Sequence, residues 1–287
     1  MKEAIQMSDF YKDNMNLYQI NGFDIQEVAK DVYAIDEFGI DIMYLVIGTK
    51  KALLIDTGIG LGDIRAVVET MTDLPYVVVN THHHYDHAGG NGHFDCVYAP
   101  ENAISVIKSQ NNVKQRQEFF EEQKARMEYN HMASLTYDAK FVKQYNLKGI
   151  REGDRFLLGN RELEVIETPG HTKDSICLLD SENRILFSAD TIVSTPTLIF
   201  DSYSDTMENY LLSLKKLRDR RDEYELIFPG HYLRPIGELY IDHMIKCVEE
   251  VLNGHLLDHI HENKSAEKTE YIHRYGLASV LYNKGRI

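Results

Sequence analysis

The sequence predicts an α/β fold, and three observations support this prediction. Short runs rich in β-branched and aromatic residues alternate with segments of helical periodicity. Turn residues separate these runs, and we find no flexible linker that would divide the chain. Of the 287 residues, 43% are hydrophobic and 26% are charged, which is enough apolar material for a large core in an ordinary globular protein. We therefore expect a single domain over residues 1–287.

The N-terminal part of the chain predicts three strands, a helix and a fourth strand. The strands are "IQEVAKDVYAID", "IMYLVIG" and "KALLIDTG", with turns at Gly39 and Gly48. The segment "LGDIRAVVETM" has its apolar residues on one helical face, namely Ile64, Val67, Val68 and Met71. The apolar run "YVVVN" after it suits a buried strand.

The remaining elements follow in the same alternating order. Residues 101–145 are polar and helical in character, so we expect an inserted helical cap there. Two hairpins follow, "RFLLGNRELEVIET" and "SICLLDSENRILFSAD". Asp205 and Glu208 predict a capping box for the helix "DTMENYLLSLKKLRD", and "ELIFPGH" is a further strand. The extension 233–287 is expected to be mainly helical.

Charge and composition restrict the class of partner. A formal net charge of −14 disfavours nucleic-acid binding, which needs a basic surface. No apolar run approaches the length of a membrane span, and the polar N-terminus favours a cytoplasmic location. The three cysteines are far apart and form no CxxC motif, which is typical of a reduced protein. We expect the protein to act on a small-molecule substrate and to bind neither nucleic acid nor a membrane. The sequence is compatible with a homodimer.

The stretch "NTHHHYDHAGGN" carries the chemistry. In an extended segment alternate side chains point the same way, so His82, His84 and Asp86 can converge, and His87 follows directly. Imidazole and carboxylate are the usual ligands of zinc and related divalent ions, and a cation removes the repulsion within such a dense cluster. His83 is expected to point outward with a structural role.

Three further donors each follow a strand, and two of them lie on a Pro-Gly turn. They are His171 in "ETPGHTKDS", Asp190 in "LFSADT" and His231 in "FPGHY". Four donors within six residues are hard to place around one small ion, so the pattern predicts two ions. If Asp190 bridges them, each ion has three further protein ligands and room remains for an activated water.

The motif His82-x-His84-x-Asp86-His87, followed by His171, Asp190 and His231, resembles the metallo-β-lactamase-fold hydrolase superfamily, over roughly residues 28–232. The resemblance implies an αββα four-layer sandwich. It also implies that the first metal is held by His82, His84 and His171, the second by Asp86, His87 and His231, and that Asp190 lies between them. Asp56, in the matching "LLIDTG", would orient the metal loop.

Our hypothesis from these residues is a dinuclear hydrolase in which a metal-bridging hydroxide attacks a carbonyl of a thioester, lactone or ester. Asp86 would orient the water and carry a proton. Zinc is favoured for the two divalent ions, with iron or manganese as alternatives. A phosphodiesterase that uses the same site is the second hypothesis, and a non-enzymatic metal-dependent sensor is the third.

Within the superfamily, "THHHYDHAGGN" is similar to the motif of glyoxalase II (hydroxyacylglutathione hydrolase) and of the lactonases. The C-terminal basic cluster that binds glutathione in glyoxalase II has no clear counterpart among Arg234, Lys246, Lys264 and Lys268. This makes glutathione thioesters a doubtful substrate.

Other side chains have both a functional and a structural interpretation. Five side chains of the insert would either line the substrate pocket or pack in the hydrophobic core, namely Phe119, Phe120, Met127, Tyr129 and Tyr137. The same two alternatives apply to Tyr85. The segment "HLLDHIH" has His255 and His259 at helical spacing but lacks the glutamate of a zinc protease motif, so a solvated helix face is the better interpretation.

Overall fold

A computed structural model describes residues 17–126, 144–200, 202–232, 235–254, 259–261 and 270–287. Its first sheet has eight strands: β1 (Leu17–Ile20), β2 (Phe23–Ala29), β3 (Val32–Asp36), β4 (Ile42–Ile47), β5 (Ala52–Ile55), β6 (Tyr76–Val79), β7 (Cys96–Pro100) and β8 (Asn146–Ile150). They lie in chain order, antiparallel from β1 to β5 and parallel from β5 to β8. The predicted first strand, "IQEVAKDVYAID", is in fact the hairpin β2–β3, because Asp31 adopts a positive φ of 58° that turns the chain.

The second sheet faces the first. Its strands are β9 (Arg155–Leu157), β10 (Glu162–Glu167), β11 (Ile176–Asp180), β12 (Ile185–Ala189), β14 (Leu226–Pro229) and β15 (Ile236–Gly237). Their order is β15-β14-β12-β11-β10-β9, and β12 and β14 are parallel. Both predicted hairpins, β9–β10 and β11–β12, are confirmed by antiparallel pairing.

Six α-helices are described. They are α1 (Ile64–Met71), α2 (Tyr85–Ala88), α3 (Ile104–Gln110), α4 (Val113–Arg126), α5 (Met207–Asp219) and α6 (Tyr240–Leu252). α1 lies where it was predicted. α5 begins one residue later than the capping box implied, because the Thr206 hydroxyl, and not Asp205, accepts the backbone N–H of Asn209.

The core is layered between and outside the two sheets. Tyr44 and Val46 of the first sheet pack against Phe187 and Phe228 of the second. Outside the first sheet, α1 buries its apolar face on β2, β4 and β5. Outside the second sheet, α5 and α6 pack on β11, β12 and β14. These helix, sheet, sheet and helix layers confirm the predicted αββα sandwich.

The C-terminal extension differs from its prediction. α6 is followed by β16 (His259–His261), β17 (Glu270–Tyr275) and β18 (Ala278–Tyr282), which join β13 (Thr197–Ile199) in a four-stranded sheet. The expectation of a mainly helical segment over 233–287 is therefore wrong. The segments "EYIHRY" and "ASVLY" are rich in β-branched and aromatic residues, and Gly276, with a φ of 58°, makes the tight turn between them.

The insert is helical as far as it is described. α3 and α4 cover its first part, and Phe120 of α4 is fully buried against Ile40 and Ile59. For Phe120 the core interpretation is thus correct. Met127, Tyr129 and Tyr137 lie outside the described residues.

Among the described residues, every helix is too short or too polar to cross a bilayer.

Candidate metal centre

Five of the strands end at one edge of the sandwich, and a polar side chain follows each of them. Asp56 follows β5, His82 comes shortly after β6, His171 after β10, Asp190 after β12 and His231 after β14. The ends of neighbouring parallel strands meet at the same edge of a sheet, which explains why residues far apart in sequence converge here.

The convergence depends on close backbone approach and on unusual backbone angles. A Cβ atom on Gly90 would lie 2.1 Å from the Thr57 carbonyl oxygen, so only glycine fits after the histidine loop. Asp56, Ala189 and Tyr232 have φ values of 63°, 43° and 55°. Each flanks or belongs to the candidate site, a common location for strained residues.

The first ligand group consists of His82, His84, His171 and Asp190, whose donor atoms lie within 4.8 Å of one another. Thr81 Oγ1 donates to Asp56, so His82 must donate its Nδ1 proton to Thr81 Oγ1, 3.1 Å away. This leaves the lone pair of His82 Nε2 directed at the group. His171 donates from Nδ1 to the Leu198 carbonyl at 2.9 Å, with the same consequence for its Nε2 atom.

The second group consists of Asp86, His87 and His231, also within 4.8 Å. His87 donates from Nδ1 to Asp56 at 2.9 Å, and His231 donates from Nδ1 to the Ile40 carbonyl at 2.8 Å. Both imidazoles therefore present Nε2 to the group. Asp56 also accepts the Thr81 amide at 2.7 Å, so this buried carboxylate holds both ends of the histidine loop.

Asp190 lies between the two groups. Its carboxylate oxygens are 3.4 Å from His171 Nε2 in the first group, and 3.4 Å and 3.2 Å from the Nε2 atoms of His87 and His231 in the second. The structure thus brings all seven predicted donors together. Among the described residues, no other carboxylate forms an ion pair with histidines of both groups.

The donor set fits divalent cations. Among the described residues, His82 Nε2, His87 Nε2 and Asp190 Oδ1 are buried without a hydrogen-bond partner. His84 Nδ1 and His171 Nε2 lie 3.1 Å apart. The His171 tautomer makes its Nε2 the acceptor of this contact and His84 Nδ1 the donor. The partnerless atoms include the acceptors His82 Nε2 and Asp190 Oδ1, and buried acceptors without a donor are costly unless a cation binds them. Imidazole and carboxylate accept zinc, iron or manganese.

The electrostatics differ between the groups. Burial, followed by the neighbouring imidazoles, lowers the pKa of His82 and of His84 well below the ordinary value, and burial lowers the pKa of His171. These three imidazoles are consequently neutral at neutral pH, as metal ligation requires.

In the second group, the carboxylates outweigh burial. Burial acts to lower the pKa of His231, but Asp190 and then Asp86 raise it to about 9. The pKa of His87 is raised well above its ordinary value against burial, by Asp190 and Asp56. Burial acts to raise the pKa of Asp190, yet the facing His231 and His87 hold it well below its ordinary range.

Sequence reasoning missed two buried acids beneath the second group. Glu37 accepts the backbone N–H groups of Ile59 and Leu61 at 2.6 and 2.7 Å, and its pKa is raised to about 7, mainly by burial. Asp41 is 1% exposed, and neither of its carboxylate oxygens has a hydrogen-bond partner. Both acids flank a loop turn that sequence patterns do not mark as buried.

His83 points away from the ligands, as expected, but it is buried instead of facing outward. Its Nδ1 atom lies 2.7 Å from Asp174, and both side chains are 5% exposed. The pair joins the histidine loop to the loop that carries His171. Asp174 could have been suspected only from its position in "HTKDS".

The competing histidine segment does not form the predicted helix face. His259 and His261 lie on β16, so helical i, i+4 spacing does not apply to them, and His255 is outside the described residues.

Comparisons with known proteins agree with this geometry. A family model described as the metallo-beta-lactamase superfamily matches residues 42–231. The acyl-coenzyme A thioesterase MBLAC2 of Gallus gallus is 29% identical over 201 residues, which cover 66% of this chain and 72% of that protein. A hydroxyacylglutathione hydrolase of Rhodospirillum rubrum is 31% identical over 160 residues, 55% of this chain and 49% of that protein.

Solved structures share the fold. A metallo-beta-lactamase from Pontibacter korlensis superimposes with a TM-score of 0.56 at 16% identity, and covers 79% of this chain and 99% of that one. The sec-alkylsulfatase Pisa1 from Pseudomonas sp. gives a TM-score of 0.61 at 17% identity, over 80% of this chain and 42% of that one. At these identities the similarity concerns the fold alone.

Proposed function

The chain belongs to the metallo-β-lactamase superfamily, and from this premise we propose that it is a metal-dependent hydrolase that cleaves thioesters with two divalent ions. The names of two relatives support the bond type, since an acyl-coenzyme A thioesterase and a hydroxyacylglutathione hydrolase both act on thioesters. Metal dependence follows from the family and from a donor set that suits divalent cations.

A single observation carries the dinuclear proposal: Asp190 lies within 3.4 Å of imidazole nitrogens in both groups. His82, His84 and His171 would hold one ion, Asp86, His87 and His231 the other, and Asp190 both. The bound ions, zinc being favoured, would supply Lewis acidity that activates a water molecule and polarises the substrate carbonyl.

The protein's own groups would orient the reaction. Asp86 is 8% exposed, and its carboxylate lies 3.6 Å from His231 Nε2, at the margin of the second group. From there it would hold the attacking water and accept its proton. Two dications opposed by Asp86 and Asp190 leave net positive charge where the oxyanion develops, a preorganised stabilisation.

A phosphodiesterase is the second candidate, because paired metal ions also suit in-line displacement at phosphorus. The acidic net charge of −14 argues against a nucleic-acid substrate.

Whether the protein accepts glutathione thioesters depends on basic side chains that could bind glutathione. Of the four basic residues of the C-terminal segment, Lys246 lies on α6 beside Glu249, and Arg234, Lys264 and Lys268 lie outside the described residues.

The test combines a substrate panel with metal analysis. Thioesters, lactones, aryl esters and bis(p-nitrophenyl) phosphate would be assayed with zinc, manganese and iron, and we expect the thioesters to give the highest kcat/KM. The Asp190→Asn variant should hold fewer than two ions per chain and lose most of its turnover. Asp219→Asn, an exposed aspartate at the end of α5, is the matched control.

Two outcomes would contradict the proposal. Preference for the phosphate diester would favour the second candidate. Unchanged turnover and two-metal occupancy in Asp190→Asn would exclude the shared carboxylate.

A further inference from the structure

The backbone that precedes α5 is tied to the loop that carries His171. The imidazole of His171 donates from Nδ1 to the carbonyl of Leu198, which lies in β13, at 2.9 Å. Ser204 is 2% exposed, and its hydroxyl donates to the His171 carbonyl at 2.6 Å and accepts the Phe200 amide at 2.7 Å. Ser204 therefore joins the backbone of the ligand to the end of β13. We call residues 197–200 and 202–205 the β13 segment.

Two further hydrogen bonds hold the same loop on the β13 segment. The Asp205 amide donates to the Gly170 carbonyl at 2.9 Å, and the Lys173 amide donates to the Tyr203 carbonyl at 3.2 Å. The ring of Tyr203 also lies beside the ligand His84, with the two ring centroids 5.9 Å apart. The β13 segment thus holds the loop on both sides of the metal ligand.

The C-terminal sheet in turn holds the β13 segment. β13 pairs in parallel with β18. Ile199 is fully buried in the same hydrophobic cluster as Val280 of β18. The Nε atom of Arg286 donates to the Phe200 carbonyl at 3.3 Å. Backbone pairing and packing therefore extend from residues 278–286 to a ligand of the first group.

Two imidazoles of the second group are oriented from the other side of the molecule. His87 donates to Asp56 and His231 donates to the Ile40 carbonyl, and these acceptors lie beside strands β5 and β4 of the first sheet. The partner of a ligating histidine fixes the direction of its ring. Displacement of β13 should consequently turn the ring of His171 and leave the second group in place.

We propose that the C-terminal sheet is part of the metal centre: by fixing β13 it orients His171, and it thereby sets the affinity of the first group, but not of the second, for its ion. Ser204 is a positioning residue in this arrangement, because it acts through His171. β18 lies beyond residues 42–231, which the family model matches. The inference rests on the proposed binding of divalent ions by both groups.

The first experiment measures zinc affinity by chelator competition. In the His231→Ala background, which isolates the ion of the first group, Ser204→Ala should lower the affinity about tenfold. In the His171→Ala background, it should leave the affinity of the second group unchanged. Ser213→Ala is the matched control, because Ser213 is 3% exposed and its hydroxyl donates to another carbonyl of this region, that of Pro169, at 2.7 Å. Its hydroxyl joins α5 and not β13 to the loop, so both affinities should stay at their starting values.

The second experiment tests the coupling from the opposite end. If β18 strengthens the binding of the first ion, that ion must stabilise β18 by the same factor, because coupling free energies are reciprocal. Hydrogen-exchange mass spectrometry would measure how much zinc slows amide exchange in β18 relative to β2 of the first sheet, so that global stabilisation cancels. We expect a relative slowing of about tenfold in the wild type and of about twofold in Ser204→Ala.

A pair of arginine variants tests the C-terminal contact itself. Arg286→Ala removes the donor to the Phe200 carbonyl and should reduce both the first-group affinity and the slowing in β18 about threefold. Arg274→Ala removes the same charge from an exposed position on β17 and should keep the wild-type values. This pair decides the question if Ser204→Ala does not fold.

The outcomes separate this inference from the proposed function. Unchanged first-group affinity in Ser204→Ala, an equal loss in Ser213→Ala, or equal slowing in β18 and β2 would overturn the inference while two ions are still bound. If only the Arg286→Ala pair can be measured, wild-type affinity and exchange in that variant would overturn it. A wild type that binds no zinc would overturn the proposed function and the inference together.

Discussion

The two ligand groups contain the same kinds of side chain in different surroundings. In the first group, His171 donates its Nδ1 proton to a neutral acceptor, the Leu198 carbonyl. In the second group, His87 donates to the Asp56 carboxylate, and the carboxylate of Asp86 also belongs to the group. Burial dominates the first environment and negative charge dominates the second.

This difference predicts unequal metal affinity. The imidazoles of the first group have lowered pKa values, so they stay neutral at neutral pH and carry no second ring proton that a cation would have to displace. In the second group, the pKa of His231 is raised to about 9, so a cation must displace a proton before it binds. We expect the first group to hold its ion more tightly at neutral pH.

The largest expected effect comes from removing one ligand of each group. His171→Ala and His231→Ala should each lower turnover by about a thousandfold, because a bound ion contributes several kcal/mol to transition-state stabilisation. Metal analysis should find one ion per chain in each variant. Chelator competition should show that the ion left in His231→Ala is held more tightly. Equal affinities would remove the distinction between the groups.

The second prediction concerns the acid that supports the loop beneath the second group. The pKa of Glu37 is raised to about 7, so its contribution to stability is complete below its ordinary pKa of 4.5 and is lost as the pH rises through 7. Between pH 5 and pH 9 the wild type should lose about 3 kcal/mol more unfolding free energy than Glu37→Gln. Urea unfolding in chelator at several pH values measures this. Parallel pH profiles for the two proteins would contradict it.

Asp56→Asn should have a smaller effect. Asp56 orients His87 and Thr81 without belonging to either group, and loss of such a partner lowers metal affinity by about 10–100-fold. Thr81→Val is the comparison, since it removes the hydroxyl that accepts from His82. Zinc competition assays should show the larger loss at the second group for Asp56→Asn and at the first for Thr81→Val.

The smallest effect should come from a change outside both groups. Thr206→Ala removes the N-cap of α5 and should lower the free energy of unfolding by about 1 kcal/mol. Metal content and the affinities of both groups should stay at wild-type values. A change in either would show that α5 is coupled to the metal centre.

Much of the site could be predicted because its donors follow local patterns. His171 and His231 each follow an apolar strand and a Pro-Gly turn, and Asp190 follows the strand of a hairpin. Period-two alternation and turn residues are short-range signals, so they are visible in one sequence.

The errors arose where the local signal was weak. β17 carries glutamate, histidine and arginine among its apolar residues, which obscures its strand pattern. The hairpin β2–β3 turns at an aspartate with positive φ, an uncommon choice that sequence patterns do not mark.

The sequence by itself determined the alternating α/β pattern and the seven candidate donors, because strand patterning and metal-ligand chemistry are encoded in neighbouring residues, and the sandwich followed from the resemblance to the superfamily. The tertiary structure alone decided that Asp190 lies between two groups, that Glu37 and Asp41 are buried beneath one of them, and that Tyr203 borders the other. Those facts depend on contacts between segments up to about 190 residues apart, such as His231 with the Ile40 carbonyl. Burial sets the proton affinity of each group, and burial arises only when the sheets pack together.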